Sequence, residues 1–597
     1  MKELKYTFEN LSYDQLKAHI TIPQFQRSLV WSTEQKKAFI RTVKDGNPFG
    51  SILVYQSNMS KYEIIDGLQR FTTLHDYEKN PVKYLNISKD CYSEITTISK
   101  IIQKDIPNLS IEILEKKVVD AIKEVLQSTS LFDRKLCRDI RKAIVGEFGE
   151  AIRRTTDESI DEEVDKMIEV WQNDIDFRSL KIPTIIYTGD ESELPDIFER
   201  LNTGGTKLSR YEVFASTWNS IKLKIEREDY LDYIEDLYKK KCERTKLSIS
   251  NFEEGVIKRT KELSLYEFCF ALGKKIKDSC GVLFATYSDT QEDQVDSIGF
   301  TSLATVLGIP LKKLSILNKC INEKTNVRNL MLLTDKIVES YKKIESILKN
   351  YISTVDGKLF TKFIEAQVLA ILGTYFKLYY KVNEDLSVSQ ENTSRTIKEN
   401  FSHYMPFAYL YDILSEFWAG SGDRKLAEEL SKPISENRFT SFILKEKWET
   451  LLREWMNNQI LKKVKNVSIE TKLFLNFICK TKIDWHNNQI KYDIEHIIPK
   501  KRILDKNFDV AISAIGNLCL LPACDNRRKK DETVYEYLGR TSEITIINED
   551  IAKKLYYPTR DELSFIRAGE DFNVDHYNRF LRDRNNYLIN EFLKLLD

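Results

Sequence analysis

The sequence predicts an α+β fold, predominantly helical and divided into several domains. Three observations carry that expectation: strand-like runs bounded by turn signals in the first 90 residues, long stretches of helical apolar spacing in the middle, and a strand–loop–strand–helix pattern near residue 500. A length of 597 residues is enough for several domains of roughly 100 to 200 residues each.

The elements follow in chain order. Ser51–Tyr55 (SILVY) and Tyr62–Ile65 (YEII) read as strands leading into the turn Asp66-Gly67, and Gln69–Glu78 reads as a short helix. That turn sets polar groups beside a helix N-terminus, where anions are stabilised. Residues 90–175 read as a helical insertion, because the next strand signal, Lys181–Tyr187 (KIPTIIY), comes only afterwards. Ile197–Ser216 reads as helix, Gly-Gly loop, helix, with Ser209 and Glu212 in capping-box spacing. From 217 to 430 apolar and charged residues alternate at helical spacing, as in Tyr230–Lys241 and Leu330–Tyr351. The polar stretches Asp385–Glu399 and Gly420–Asp423 read as loops or linkers. Residues 431–597, with Trp448, Trp455 and Trp485, complete the division into 1–217, 218–430 and 431–597.

Composition narrows the class. Apolar residues make up 42% and charged residues 30%, which excludes a disordered chain. Lys plus Arg equals Asp plus Glu at 91 each, so attraction to nucleic acid must come from local patches rather than a global field. The nine cysteines include no CxxC pair, which argues against a disulfide framework or a thiolate zinc staple. The start, MKELKYTFENLSYDQL, lacks an apolar signal core, and no run reaches the roughly 18 apolar residues of a membrane span. The expectation is a cytoplasmic protein without a membrane partner.

Tyr492–Lys501 (YDIEHIIPKK) and Ile515–Lys530 (IGNLCLLPACDNRRKK) hold the densest chemistry. Phosphodiester cleavage needs a base to deprotonate water and a divalent cation to stabilise charge, and His496 and Glu495 can serve these needs. Ile494, Ile497 and Ile498 suggest a buried strand, on which neighbours point to opposite faces, so both groups reach one phosphate only if the strand ends or bends near Pro499. These segments resemble the ββα-metal HNH nucleases, and more specifically the C-terminal nuclease domain of GmrSD-type modification-dependent restriction enzymes. The resemblance makes His496 the general base, Glu495 and Asn526 the metal-side residues, and Asn517 a residue that orients the base or its loop. Oxygen ligands favour Mg²⁺ or Mn²⁺ over a thiolate-bound zinc. Asn526 stands where a third histidine is usual. Lys500, Lys501 and Arg502, the run Arg527, Arg528, Lys529 and Lys530, and Arg579, Arg582 and Arg584 are candidate contacts to DNA phosphate or solvated surface.

In the N-terminal part, Ile22–Trp31 (IPQFQRSLVW), Ile64–Leu74 (IIDGLQRFTTL) and Phe198–Ser209 (FERLNTGGTKLS) form an ordered set. Arg27 and Arg70 can give forked bonds to phosphate, Asp66 can face a cation or water, and Gln69 can orient water or ligand. Thr72 and Thr73 add hydroxyls, and Gly204-Gly205 lets backbone approach closely beside Asn202. No Walker A sequence is present, which disfavours a P-loop mechanism. The set resembles the GmrS-like N-terminal domain, related in fold to ParB and sulfiredoxin, in which a DGQQR element helps bind nucleotide phosphate; here the element is DGLQR, with Leu68 third. The resemblance implies a nucleotide site (ATP or GTP) built from Gln26, Arg27, Asp66, Gly67, Gln69, Arg70, Thr73 and Asn202.

Both halves in one chain imply a nucleotide-regulated, metal-dependent endonuclease acting on modified or foreign DNA in antiphage defence, with NTPase chemistry in the N-terminal domain and a homodimer among its arrangements. The arrangement is also similar to SspE-type effectors of phosphorothioation-based defence. Two alternatives stay open: a non-cleaving, nucleotide-switched sensor of DNA or phage protein, and a nucleotide hydrolase with an architectural C-terminal domain.

Overall fold

The structure, a computed structural model, describes the chain except residues 1–3, 27–28, 59–60, 128–132, 134, 174, 195–196, 199–209, 286–291, 352–353, 356–357, 360, 480–481, 483–489, 505–508, 567–572 and 597. The described chain mixes α and β and is mostly helical. It divides into two compact units: Met1–Ser220 with Ile234–Thr260, and Ile221–Tyr233 with Lys261–Asp597. The helix Glu228–Thr245 begins in the second and ends in the first.

The first unit opens with β1 (Tyr6–Ser12), α1 (Tyr13–His19), β2 (Ile20–Thr21), α2 (Thr33–Lys44), β3 (Ile52–Asn58), β4 (Lys61–Asp66) and α3 (Leu68–Lys79). Helices α4 (Ile87–Asp90), α5 (Tyr92–Gln103), α6 (Ile111–Leu126), α7 (Leu136–Phe148) and α8 (Arg154–Asn173) follow, then β5 (Lys181–Tyr187) and α9 (Arg210–Thr217). The strands expected at 51–55, 62–65 and 181–187 are thus present as β3, β4 and β5. The sheet order is β1-β5-β3-β4-β2, with β5 antiparallel to β1 and parallel to β3. Ile182, Thr184 and Ile186 of β5 are buried at alternate positions, the period-two signature of a pleated strand.

Helices α4 to α8 interrupt this sheet and carry a core of their own. Ser110 caps α6 by accepting from the Ile113 amide, and Leu114, Val118, Ile122 and Leu126 form one buried stripe at a four-residue interval. They pack with Ile95, Ile98 and Ile102 of α5, Ile140 and Ile144 of α7, and Val164 and Trp171 of α8.

In the second unit, long helices such as Val327–Leu348, Glu365–Tyr379 and Arg395–Leu414 enclose a core that includes Leu330, Leu333, Ile337 and Tyr341. Phe407 meets Phe477 and Phe592, so this core runs across residue 430. Short strands β6 (Lys222–Lys224) and β7 (Glu262–Ser264) pair, as do β8 (Thr354–Val355) and β9 (Lys358–Leu359), and β10 (Tyr380–Val382) and β11 (Val388–Gln390). The stretch Asp385–Glu399, expected as a loop, instead contains β11 and the start of a helix. Leu386 turns the ribbon at φ 63°, and Ser394 caps the helix that begins at Arg395. Finally β12 (Tyr492–His496) and β13 (Leu518–Pro522) complete a four-stranded sheet of order β13-β12-β8-β9. No single helix among the described residues is long and apolar enough to cross a membrane; a pair bent by 90°, Ser297–Val306 with Leu311–Cys320, passes only jointly by length and composition.

Candidate active site

Strands β12 and β13 run antiparallel, with Tyr492 opposite Pro522, Glu495 opposite Cys519 and His496 opposite Leu518. Every residue of β13 is buried, as its apolar run LCLLP requires. The helix Ala523–Lys529 starts directly after Pro522, beside the beginning of β12, and its last turn brings Lys529 to Glu495 near the other end of that strand, where β13 begins. Asn517, fully buried, locks the end of β12 that follows His496. Its amide oxygen accepts from the Ile498 amide at 2.9 Å, and its amide nitrogen donates to the carbonyls of Ile498 at 3.2 Å and Ile512 at 2.9 Å. Its own carbonyl accepts from Ile497 at 2.8 Å. Asn517 therefore fixes the loop, and among the described residues it makes no hydrogen bond to the His496 ring.

Glu495 and His496 address different neighbours, as strand alternation demands. The Glu495 carboxylate meets Lys529 Nζ at 2.5 Å and is hydrogen-bonded by the Asn526 side chain. Burial pushes its pKa up, against the pull of Lys529 and Asn526. Lys529 is only 1% exposed and also donates to the Glu532 carbonyl at 2.7 Å. His496 Nε2 lies 3.0 Å from Ser513 Oγ, and Nδ1 has no hydrogen-bond partner among the described residues. Burial, helped by the positive charges of Lys500 and Lys529, brings the His496 pKa down to about 4, so the ring is neutral at neutral pH. The strand ends at His496 and bends at Ile497 and Ile498, ahead of Pro499.

Among the described residues no three His, Cys, Asp or Glu side chains gather as metal ligands. The oxygen donors here are one carboxylate and one amide, and Asn526 Oδ1 is buried without a hydrogen-bond partner. An orphaned oxygen beside a carboxylate suits a hard cation that keeps several waters. Lys529 meets Oε1 of Glu495, and a cation would share that carboxylate with it.

Of the basic residues expected to meet phosphate, Lys500 and Lys530 are exposed. Lys501 pairs with Asp531 at 3.0 Å and Arg527 lies 3.6 Å from Asp493. Lys529 departs from that expectation, since a buried ammonium committed to Glu495 is not a surface contact. Arg584 departs as well, being 4% exposed.

In the first unit, Gly67 links β4 to α3 at φ 95°, and a Cβ there would come within 2.9 Å of Ile52 Cγ1. Only glycine fits this turn. Arg70, one turn into α3, binds Asp66 at 2.8 Å and the Ser51 carbonyl at 2.8 Å, with its Nε buried and without a hydrogen-bond partner. Gln69 accepts from the amides of Val30 and Trp31, both at 3.1 Å. Gln26 donates to the carbonyls of Ile64 and Ile65, and the hydroxyls of Thr72 and Thr73 bond the carbonyls of Leu68 and Gln69. Gln26, Gln69 and Thr73 thus build the junction from inside, whereas Asp66 and Arg70 keep 41% and 24% of their side chains exposed. Arg27, Asn202, Gly204, Gly205, Ser209 and Trp485 lie outside the described residues.

Residues 8–219 match the GmrSD restriction endonuclease N-terminal domain. The match takes in the whole sheet from Phe8 of β1 onward, the helical insertion and α9. This stretch of the chain is therefore similar to the N-terminal domain of GmrSD restriction endonucleases. No curated protein matches the chain. Beyond the residues expected from sequence, the C-terminal cluster includes Ser513, and it gives Lys529, expected at phosphate, a partner in Glu495 instead. That change of role is legible in the three-residue spacing of Asn526 and Lys529, which puts both on one helix face. Ser513 carries no such signal.

Proposed function

We propose that this chain is a nucleotide-regulated, metal-dependent DNA endonuclease of antiphage defence. In this reading β12, β13 and the helix Ala523–Lys529 form an HNH centre of the ββα-metal type, and the ParB/sulfiredoxin-like N-terminal domain binds ATP or GTP. The observation that carries the reading is the junction itself: a neutral imidazole whose Nδ1 has no hydrogen-bond partner among the described residues, one residue from a carboxylate that an amide with an orphaned oxygen also touches. The GmrSD match of residues 8–219 supports it independently.

Glu495 and Asn526 would hold Mg²⁺ or Mn²⁺, which when bound neutralises charge on the scissile phosphate. His496 takes a proton from the attacking water, a role its neutral state permits. Asn517 keeps the loop beside it closed, and the exposed Lys500 and Lys530 contact backbone phosphate. In the first unit Asp66 and Arg70 are the groups a nucleotide can reach, Arg70 by its guanidinium against phosphate.

One observation favours a second reading. Lys529 already neutralises Glu495, as it would in a domain retained for binding rather than cutting. A plasmid panel separates the two: unmodified, methylated, glucosylated and phosphorothioated DNA, with Mg²⁺, Mn²⁺ or chelator, with and without ATP or GTP. The endonuclease reading expects metal-dependent nicking of at least one substrate, lowered roughly 10²–10⁴-fold by His496→Ala without loss of fold. Nicking unchanged in that variant rejects the assignment. Nucleotide-dependent DNA binding without nicking supports the sensor, and phosphate release alone supports a nucleotide hydrolase with an architectural C-terminal domain.

A further inference from the structure

We propose that Ser513 is a positioning residue that fixes the tautomer of His496, holding its proton on Nε2 and leaving Nδ1 as the atom that takes the proton from water. The proposal rests on the reading of His496 as general base and names the atom that does the work.

The argument is a count of protons. Ser513 Oγ lies 3.0 Å from His496 Nε2 and 2.7 Å from the Lys465 carbonyl oxygen. A hydroxyl has one hydrogen, and a carbonyl can only accept. If the Ser513 hydrogen goes to Lys465, the hydroxyl oxygen is left to accept, and His496 must donate from Nε2. The reverse arrangement turns the hydrogen toward Nε2, deprives the Lys465 carbonyl of this donor, and puts the ring proton on Nδ1, where no acceptor stands among the described residues. Ser513 is 2% exposed, so its hydroxyl is shared between these two partners rather than with solvent. Only the first arrangement satisfies both bonds.

The serine is itself held on both sides. Its amide donates to the Val464 carbonyl at 3.0 Å, Lys465 Nζ donates to the Val510 carbonyl at 3.0 Å, and the Ile515 amide donates to Gln459 Oε1 at 2.8 Å. Asn517 ties Ile512, the residue before Ser513, to the end of β12. The ring is therefore oriented through a hydroxyl to a backbone carbonyl, the pattern by which a partner on one ring nitrogen decides what the other can do. In the step itself a water proton passes to Nδ1 as the water oxygen bonds to phosphorus. The P–O ester bond breaks, and the leaving oxygen takes a proton from solvent.

The test uses the full chain labelled with ¹⁵N-histidine, and reads the His496 tautomer from two-bond ¹H–¹⁵N spectra. The chain has six histidines, and the His496 signal is the one lost in His496→Gln. The expected wild-type pattern has the proton on Nε2. Ser513→Ala is expected to mix the two tautomers and to lower the nicking rate roughly 10- to 100-fold with DNA affinity little changed, and Ser513→Thr, which keeps the hydroxyl, to restore both. A wild-type proton on Nδ1, or an unchanged tautomer in Ser513→Ala, overturns the proposal whatever the activity. An Nε2 proton in a wild-type chain that nicks no DNA in the plasmid panel overturns the endonuclease reading instead, and the proton-accepting role of Nδ1 with it.

Discussion

Asp66 with Arg70 and Glu495 with Lys529 are pairs of the same kind at the two candidate centres, a carboxylate and a cation 2.8 Å and 2.5 Å apart. Their surroundings differ. The first pair keeps 41% and 24% of its side chains exposed, while the second keeps 14% and 1%. A half-exposed pair is partly screened by water and is worth about 1 kcal/mol, close to a surface pair, so Arg70 can exchange Asp66 for a phosphate at little expense. A buried pair is held by the cost of leaving one charge alone, about 3–5 kcal/mol when a partner is removed. Glu495 can therefore be released from Lys529 only to another positive charge. The open pair is suited to a ligand that comes and goes, and the closed pair to a cation that takes a fixed place.

Breaking the closed pair is expected to give the largest effect. Lys529→Met leaves Glu495 buried and uncompensated and should lower stability by about 3–5 kcal/mol, read as a drop in the urea midpoint. A midpoint within error of wild type would remove the contrast between the two centres. A smaller effect comes from pH, since His496 is neutral in the fold, with its pKa brought to about 4 from the ordinary 6.5. The folded value lies below the unfolded one, so the stability it contributes is present above about 6.5 and is lost as pH falls through about 4. The urea midpoint should decline across that window, and His496→Gln should flatten that part of the curve; an unaltered curve assigns the acid sensitivity elsewhere. The smallest change in stability is expected for Arg70→Met, about 1 kcal/mol or less from the screened pair. Its nucleotide affinity by calorimetry should fall, and equal affinity counts against the phosphate role.

What the sequence disclosed depended on whether a feature was local. KIPTIIY and the stripe Leu114, Val118, Ile122 declare their elements because period two and period four are properties of neighbouring residues. The ribbon of β10 and β11 escaped notice because it is short and lies largely on the surface, so its polar composition reads as a loop. Gln69 and Thr73 suit a ligand by residue type, yet a buried strand–helix junction needs the same donors and acceptors, and residue type does not reveal burial. Ser513 was illegible for a different reason. Its role comes from a carbonyl 48 residues earlier, and only the folded backbone brings the two together.

The helical insertion also bears on the order in which the first unit is assembled. Strand β5 sits between β1 and β3, but the chain reaches it only after five further helices. Joining distant segments costs loop-closure entropy, and a parallel neighbour such as β3 cannot be reached by a tight hairpin. Because the intervening bundle gathers around its own interior, it can collapse first and bring the two ends of that excursion nearer. That interior strand is then the last to dock, and a lesion in Trp171 or Ile122 would slow refolding of a sheet that neither residue belongs to.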